Sequence, residues 1–170
     1  MKTIVIYQSK TGFTKQYAEW IAADLGCQAL AWKDAQNADL TAYDTLIYGG
    51  WFHAGSIMGL KKFLHKADAP GKRLAVFATG ASPAENPDNE AAMRKNFTQE
   101  QCGRIKAFYM PGGLNYEKMG AVNKAMMAAF RAIVKKQEGE GSEMYKMLCK
   151  SYSLAEEKHI QPLVEWCREA

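Results

Sequence analysis

The stretch Tyr7–Thr14 (YQSKTGFT) contains the turn that is expected to join the first strand to the first helix. It follows a short apolar run at residues 3–6 and precedes an amphipathic run, an order typical of a strand, a tight turn and a helix. The start of a helix has free backbone N–H groups and the positive end of the helix dipole, so it can hold a phosphate without a lysine. Hydroxyl groups at Ser9, Thr11 and Thr14 add hydrogen-bond donors. The turn therefore suits a phosphate monoester held close to the backbone.

The spacing Ser-x-Thr-Gly-x-Thr in this turn resembles the phosphate loop of flavodoxins, which bind the ribityl phosphate of FMN. The resemblance implies that FMN is the cofactor and that the loop residues bind it. These residues are Ser9, Lys10, Thr11, Gly12, Phe13 and Thr14. The alternative is an ordinary helix start, capped by Thr14 and without a ligand.

Further along the chain, strand-like and helix-like runs alternate, which predicts a parallel sheet with helices on both faces. The predicted strands are residues 2–7, 27–32, 45–48, 73–78 and 104–110. The predicted helices are residues 14–25, 57–66, a surface helix after Pro87, 116–136 and 155–168, the last kinked at Pro162. A short helical turn is expected within residues 34–41, and a chain turn at Pro70-Gly71. With the resemblance, the pattern implies one flavodoxin-like domain over residues 1–170, a doubly wound, three-layer α/β fold with a five-stranded parallel sheet.

Three loops that follow predicted strand ends are rich in Gly, Ser and Thr, at residues 9–14, 49–56 and 79–83. Ligands of parallel sheets bind beyond the carboxyl ends of the strands, so these loops are expected to converge on one flavin site. The second and third loops contribute the candidate residues Gly50, Trp51, Phe52, His53, Ala54, Gly55, Thr79, Gly80, Ala81 and Ser82.

The second loop offers aromatic side chains, which suit a flavin ring because the ring is a flat apolar slab with a polar rim. Flavodoxins commonly place an aromatic residue here, and we expect Trp51 or Phe52 to contact the ring; the alternative is a core position. His53 is expected either to stabilise the reduced flavin or to be a surface residue. Gly50 or Gly55 would let the peptide beside the flavin N5 change its orientation on reduction.

The third loop is expected to donate backbone N–H groups to the pyrimidine edge of the flavin. It departs from many flavodoxins, because no tyrosine occurs between Phe77 and Phe97 to stack on the outer face of the ring. That face is expected to be open to a substrate or partner, or to be covered by Asn115 or Tyr116.

The second half of the chain resembles one branch of the flavodoxin domains, the branch that includes bacterial flavodoxin-type protoporphyrinogen dehydrogenases. The resemblance rests on residues 108–116 (FYMPGGLNY), the Met-rich basic run after them, and residues 49–55 (GGWFHAG). Those enzymes use FMN to oxidise a porphyrinogen and pass electrons to a quinone at the membrane.

The predicted helix 116–136 combines an apolar face with many positive charges. The apolar face consists of Met119, Val122, Met126, Phe130 and Ile133. We expect this face to pack on the sheet and the lysines to be solvated. The alternative is a weak peripheral contact with a membrane surface, or contact with an acidic substrate.

Composition argues against several other classes of protein. The longest apolar runs are too short to span a membrane, and the chain begins a strand at once, so no signal peptide is expected. Four cysteines lack metal or redox spacing and are expected to be reduced, mostly in the core, of a cytoplasmic protein. His65 and His159 are expected to be plain surface residues rather than metal ligands. The net charge of +4 is small, and no basic stripe with stacking aromatics indicates nucleic acid binding.

Three functions are consistent with these patterns. The first is an FMN-binding electron-transfer protein. Its partner would be a redox protein or a small-molecule electron donor or acceptor. This function is favoured because the loops contain no acid–base pair and no catalytic residue. The second is an FMN-dependent oxidoreductase, such as a protoporphyrinogen or quinone-linked dehydrogenase. The third is a flavin-free interaction module. A receiver domain is disfavoured because residues 7–9 (YQS) lack the acidic cluster it needs, and a P-loop hydrolase is disfavoured because its motif is absent.

Overall fold

The structure is a computed structural model, and it describes residues 1–67 and 71–169. Its strands are β1 (Thr3–Tyr7), β2 (Gln28–Ala31), β3 (Thr45–His53), β4 (Ser56–Ile57), β5 (Arg73–Gly80), β6 (Ile105–Pro111), β7 (Gly113–Leu114) and β8 (Tyr152–Ser153). Its α-helices are α1 (Phe13–Leu25), α2 (Trp32–Ala35), α3 (Leu60–Ala67), α4 (Asp88–Arg94), α5 (Gln99–Arg104), α6 (Ala121–Glu138), α7 (Glu143–Leu148) and α8 (Gln161–Arg168). Two 3-10 turns cover Leu40–Ala42 and Glu157–Ile160.

The main sheet has five parallel strands in the order β2-β1-β3-β5-β6, and β4 pairs antiparallel with the end of β3. Strand β1 therefore lies between the second and third strands of the chain, which is the reversal of direction that defines a doubly wound sheet. The predicted α/β fold with a mostly parallel central sheet between helices is confirmed.

Each face of this sheet carries its own core, because successive side chains of a strand point to opposite faces. On one face Ile4, Leu46 and Leu74 pack with Phe63 of α3. On the other face the alternate residues Val5, Ile47, Ala75 and Phe77 pack with α1 and α8, through Tyr17, Ile21 and Leu163. Strands that are buried on both faces read as continuous apolar runs, and for this reason they were recognisable in the sequence.

Helix α1 follows the phosphate-loop candidate and ends as predicted at Gly26. Gly26 adopts φ 61°, and its backbone N–H donates to the carbonyl oxygens of Ala22 and Ala23. A left-handed residue that satisfies the last carbonyl groups is the usual helix stop. The helix buries five residues against the sheet, which fixes its first turn beside the end of β1.

The segment between β7 and β8, residues 115–151, contains α6 and α7, and we call it the α6–α7 segment. It has a small core of its own, made by Leu114, Val134 and Leu148. The prediction that the apolar face of helix 116–136 packs on the sheet is wrong. Val122, Met126, Phe130 and Ile133 are 75%, 48%, 45% and 52% exposed, because the helix turns the neighbouring stripe, which includes Val134, toward the protein.

Several other local expectations are also corrected. Pro162 does not kink a helix: it stands in the first turn of α8, where a missing N–H costs no hydrogen bond. The single surface helix expected after Pro87 is two helices, α4 and α5. Among the cysteines, Cys102 and Cys149 are exposed rather than in the core. Pro70, where a turn was expected, lies outside the described residues.

No helix in residues 1–67 and 71–169 combines the length and the apolar character that crossing a membrane requires.

Candidate functional site

A cavity of about 220 Å³ opens beyond the carboxyl ends of four parallel strands, β1, β3, β5 and β6. From the three predicted loops it is lined by Lys10, Thr11, Phe13, Trp51, Phe52, His53, Thr79, Gly80 and Ala81. From the later part of the chain it is lined by Gly112, Gly113, Leu114, Asn115, Met119, Asn123, Met126 and Met127. The other candidates shape these loops without lining the cavity: Ser9, Gly12, Thr14, Gly50, Ala54, Gly55 and Ser82.

The first loop joins β1 to α1 through a glycine that no other residue replaces easily. Gly12 is the N-cap of α1, with φ 105°, a backbone conformation that side chains with a Cβ rarely adopt. Its N–H donates to the Ser9 Oγ over 3.2 Å, so the Ser9 hydroxyl shapes the turn. The alternative in which Thr14 caps the helix is wrong, because Thr14 lies inside α1.

Thr14 instead ties the first loop to the third. Its hydroxyl is buried and lies 2.8 Å from the Thr79 hydroxyl. The Thr79 hydroxyl also lies 3.4 Å from the carbonyl oxygen of Gly50, to which it donates. These hydroxyl groups hold the three loops in fixed relative positions below the cavity.

The second loop is a strand extension rather than a loop. Strand β3 continues to His53, and a two-residue turn at Ala54 and Gly55, with φ 47° and 79°, returns the chain into β4. Because side chains alternate along a strand, Phe52 packs against the first core with its ring 6.2 Å from that of Tyr109. Trp51 points to the opposite side of β3, and both residues line the cavity.

The two glycines of this region differ in their roles. A Cβ at Gly50 would lie 2.7 Å from the carbonyl oxygen of Met58, so Gly50 is needed for the close approach of the returning chain. A Cβ at Gly55 would meet no atom within 4 Å, and Gly55 is instead favoured there by its positive φ.

The carbonyl oxygens of the third loop accept hydrogen bonds from other parts of the protein. Gly80 accepts from the Gly112 N–H over 2.6 Å, Ala81 from the Tyr152 hydroxyl over 2.9 Å, and Ser82 from the Tyr109 hydroxyl over 2.7 Å. Burial raises the pKa of both tyrosines above the ordinary value. The loop therefore has its N–H groups, rather than its carbonyl groups, to offer to a ligand.

The sequence reasoning missed the contribution of the α6–α7 segment to the cavity. Met119, Asn123, Met126 and Met127 form one wall, beside Asn115. Of the two residues expected to cover the ring, Asn115 lines the cavity, whereas Tyr116 donates its hydroxyl to the Leu148 carbonyl over 2.6 Å and packs inside the segment. The methionine-rich composition of residues 119–127 was the available signal, because methionine fills adaptable apolar surfaces.

A buried tyrosine supports the floor of the site. The Tyr17 hydroxyl donates to the carbonyl oxygen of Pro111 over 2.7 Å and lies 3.1 Å from His159 Nδ1. Burial, chiefly, raises the pKa of Tyr17 to about 12. His159 is thus a half-buried contact of α1 rather than a plain surface residue, whereas His65 is exposed. In the described part of the chain, no three His, Cys, Asp or Glu residues are grouped as metal ligands.

The residues present fit a flavin. The left-handed turn at Gly12 leaves the start of α1 free of a side-chain cap, and no acidic residue stands in its first turn. Phe13, Trp51 and Met127 supply apolar walls, as a flat ring requires.

Solved structures similar to this one include flavoproteins from several microorganisms. Oxidised flavodoxin 2 from Bacillus cereus is 24% identical over 80% of this chain and 99% of that chain, with a TM-score of 0.45. A flavodoxin from the domain Archaea is 18% identical over 69% and 88%, with a TM-score of 0.43. A flavodoxin, WrbA-like protein from Agrobacterium tumefaciens is 26% identical over 48% of this chain and 60% of that chain, with a TM-score of 0.41.

These TM-scores are too low to support an argument about function, and the chain spans less than two thirds of the Agrobacterium protein. No curated protein matches the chain in sequence. A comparison with protein families, however, matches residues 4–141 to the family described as "Flavodoxin domain", a stretch that includes the three loops and the methionine-lined wall. The chain therefore belongs to the flavodoxin domain family, which implies a flavin cofactor.

Proposed function

We propose that this protein binds FMN and transfers electrons between a redox partner protein or small-molecule donor and an acceptor. One observation carries the proposal: the loop after β1 and the carboxyl ends of β3 and β5 line a single cavity within the part of the chain that matches the flavodoxin domain. FMN is favoured among flavins because its phosphate suits the uncapped start of α1.

The lining of the cavity favours electron transfer over acid–base chemistry. Lys10 and His53 are its ionisable lining residues, and no carboxylate lines it in the described part of the chain. Electron transfer by a bound flavin needs a positioned ring and no proton-transferring side chain. We infer a cytoplasmic location from the four free cysteines, since exported proteins usually oxidise theirs.

The first test is the visible absorption spectrum of the protein purified without added cofactor, with mass identification of the compound released on denaturation. A yellow protein that releases FMN supports the proposal. A colourless protein that also fails to take up FMN would exclude both flavin functions and leave the interaction module.

A pair of variants tests the position of the ring. Trp51→Ala should weaken FMN binding about 5- to 30-fold, because one aromatic contact is worth about 1–2 kcal/mol. Trp166→Ala is the control, because Trp166 packs on Arg73 at the start of β5, the end of that strand opposite the cavity. Equal FMN affinities for the wild type and Trp51→Ala would contradict the proposed position of the ring.

A second function is favoured by the exposed stripe of α6. Met126 lines the cavity, and the same stripe continues outward through Phe130 and Ile133, which are 45% and 52% exposed. An apolar path from the flavin site to the surface suits an apolar electron donor or acceptor. We therefore infer, as the second candidate, an FMN-dependent oxidoreductase of the protoporphyrinogen or quinone-linked kind.

Turnover separates the two functions. The oxidoreductase predicts oxidation of protoporphyrinogen, or reduction of a quinone, by the FMN-loaded protein well above the rate without protein. Phe130→Ser should lower that rate, whereas Ala129→Ser, a small change on the same helix, should not. No turnover with either substrate would exclude this candidate and leave electron transfer.

Weak membrane contact through residues 116–136 stays a prediction. Helical geometry of 100° per residue places Lys124 and Lys135 roughly opposite the apolar stripe, so they would point away from a lipid surface that the stripe contacts. Co-sedimentation with anionic vesicles, but not with neutral ones, would support the contact, and its retention in Phe130→Ser would exclude the stripe as the site.

A further inference from the structure

We propose that Lys118 supplies a positive charge to the phosphate end of the flavin site; this inference rests on the proposed binding of FMN. The Lys118 Nζ lies 3.6 Å from the position that a Cβ on Gly12 would occupy. Lys118 is 106 positions later in the chain, in the α6–α7 segment, so the sequence pattern of the phosphate loop contained no sign of it.

The start of α1 and the Lys118 ammonium group lie close enough together to contact the same anion. On one side, α1 begins at Gly12 without a side-chain cap, so its first N–H groups and the positive end of its dipole face outward. On the other side stands an ammonium group. Because Gly12 has no side chain, the ammonium group approaches the backbone of the first loop, and a Cβ on residue 12 would be in van der Waals contact with it.

The backbone around Lys118 is held in place by side chains of its own segment. The Lys118 N–H donates to the Asn115 Oδ1 over 3.0 Å. The Tyr116 N–H donates to the Ser151 Oγ over 2.9 Å. These bonds anchor the turn before α6, so the Lys118 side chain starts from a defined position beside the first loop.

The neighbouring carboxylate does not neutralise Lys118. Glu117 accepts a hydrogen bond from the Ser151 hydroxyl over 2.7 Å, and this bond, first among several causes, holds the pKa of Glu117 below its ordinary value. Within residues 1–67 and 71–169, no carboxylate lies at ion-pair distance from the Lys118 ammonium group. Its charge is therefore available to a phosphate, with which an ammonium forms a charge-assisted hydrogen bond.

The α6–α7 segment would then contact both the ring and the phosphate of the flavin. Met127 and its neighbours line the cavity, and Lys118 lies beside the first loop. A phosphate bound at that loop would link the segment to α1.

The test compares FMN with riboflavin, which has the same ring and no phosphate. Dissociation constants are measured from the quenching of flavin fluorescence at low and high salt, for the wild type, Lys118→Gln and Lys118→Arg. Lys124→Gln, which removes the same charge from an exposed position on α6, is the matched control. Lys118 is itself exposed, so its replacement leaves the cores intact, and thermal denaturation checks this.

We expect Lys118→Gln to weaken FMN binding about 5- to 30-fold at low salt, with a smaller factor at high salt, and to leave riboflavin binding within about twofold. Lys118→Arg should retain most of the affinity for FMN, and Lys124→Gln should match the wild type.

An unchanged FMN affinity in Lys118→Gln would overturn the inference and leave the proposed function intact. Equal losses for FMN and riboflavin would also overturn it, because they would show a role in shape rather than in charge. A wild-type protein that binds neither flavin would overturn the proposed function and this inference together.

Discussion

Helices α1 and α6 both carry an apolar face, and the structure uses these faces in opposite ways. In α1, 13 residues long, five residues are buried. In α6, 18 residues long, one residue is buried, and four large apolar residues are about half exposed or more. Helix α1 lies against the sheet, whereas α6 has its densest contacts with α7.

The difference shows that a helical pattern of apolar residues does not by itself predict whether those residues are buried. Periodicity identifies an apolar face, but burial of that face needs a second surface, and the pattern does not name it. For α1 the second surface is the sheet formed by its neighbours in the chain. For α6 the main sheet is already covered by α1 and α8 on one face and by α2, α3 and α4 on the other. The stripe of α6 is consequently exposed.

The largest expected effect contrasts one phenylalanine from each region. Phe77→Ala should lower the free energy of unfolding by about 3–5 kcal/mol, because Phe77 is fully buried in the second core. Phe130→Ala should change it by less than about 0.5 kcal/mol, because Phe130 is 45% exposed on α6. Urea denaturation measures both. A large loss in Phe130→Ala would show that the stripe is covered in solution.

The next effect tests whether the α6–α7 segment opens independently of the sheet. Leu148→Ala should destabilise the segment by about 2–4 kcal/mol through a cavity in its small core. Native-state hydrogen exchange should then show faster exchange in α6 and unchanged exchange in β3 and β5. Met144→Ala, on the same helix but 48% exposed, is the control. Equal loss of protection in β5 would contradict the separation of the two regions.

A smaller effect depends on pH and belongs to the sheet region. The pKa of Tyr17 is about 12 when folded, against 10 when exposed, so the hydroxyl stays protonated in the folded state where the unfolded chain already ionises. The associated stability is complete below pH 10 and is lost as the pH rises toward about 12. Tyr17→Phe should lower the free energy of unfolding by about 1 kcal/mol at neutral pH, because it loses the bond to Pro111.

Denaturation curves across the alkaline range measure the second part of this prediction. Tyr17→Phe should lose stability less steeply than the wild type between pH 10 and 12. Parallel curves would show that the Tyr17 hydroxyl titrates normally in the folded protein.

The smallest expected effects come from two helix caps, one in each region. The Ser142 Oγ accepts from the Tyr145 N–H over 3.1 Å at the start of α7, and the Thr98 Oγ1 accepts from the Gln101 N–H over 3.2 Å at the start of α5. Alanine at either position should cost about 0.5–1 kcal/mol. Thr98→Ala should lower global stability, and Ser142→Ala should only raise exchange in α6 and α7. A loss of global stability in both variants would contradict the expectation that the α6–α7 segment opens independently of the sheet.

The sequence predicted the elements of the main sheet region better than the strands β7 and β8 that flank the α6–α7 segment. Strands β1, β2, β5 and β6 and helices α1 and α3 were predicted to within three residues, because buried parallel strands and capped helices leave strong local signals. Helix α8 was predicted to begin at residue 155, whereas a 3-10 turn occupies Glu157–Ile160 and the helix begins at Gln161. Strand β3 was predicted too short, since its last residues (GGWFH) read as a loop until β4 pairs with them. Strands β7 and β8 are each two residues long, pair across 38 or more positions, and leave no periodic signal.

The sequence by itself determined the alternation of strands and helices and the place of the glycine-rich turns at the strand ends, because local periodicity and turn composition are short-range properties of the chain. The doubly wound order and the family were implied by the resemblance of residues 9–14 to the phosphate loop of flavodoxins. Tertiary structure alone decided that Tyr109 and Tyr152 hold the third loop, that methionines of the α6–α7 segment form a wall of the cavity, and that Lys118 stands beside Gly12. Each of these contacts joins residues far apart in the chain. Such a contact depends on which surfaces remain uncovered once the sheet is complete, and no local pattern records that.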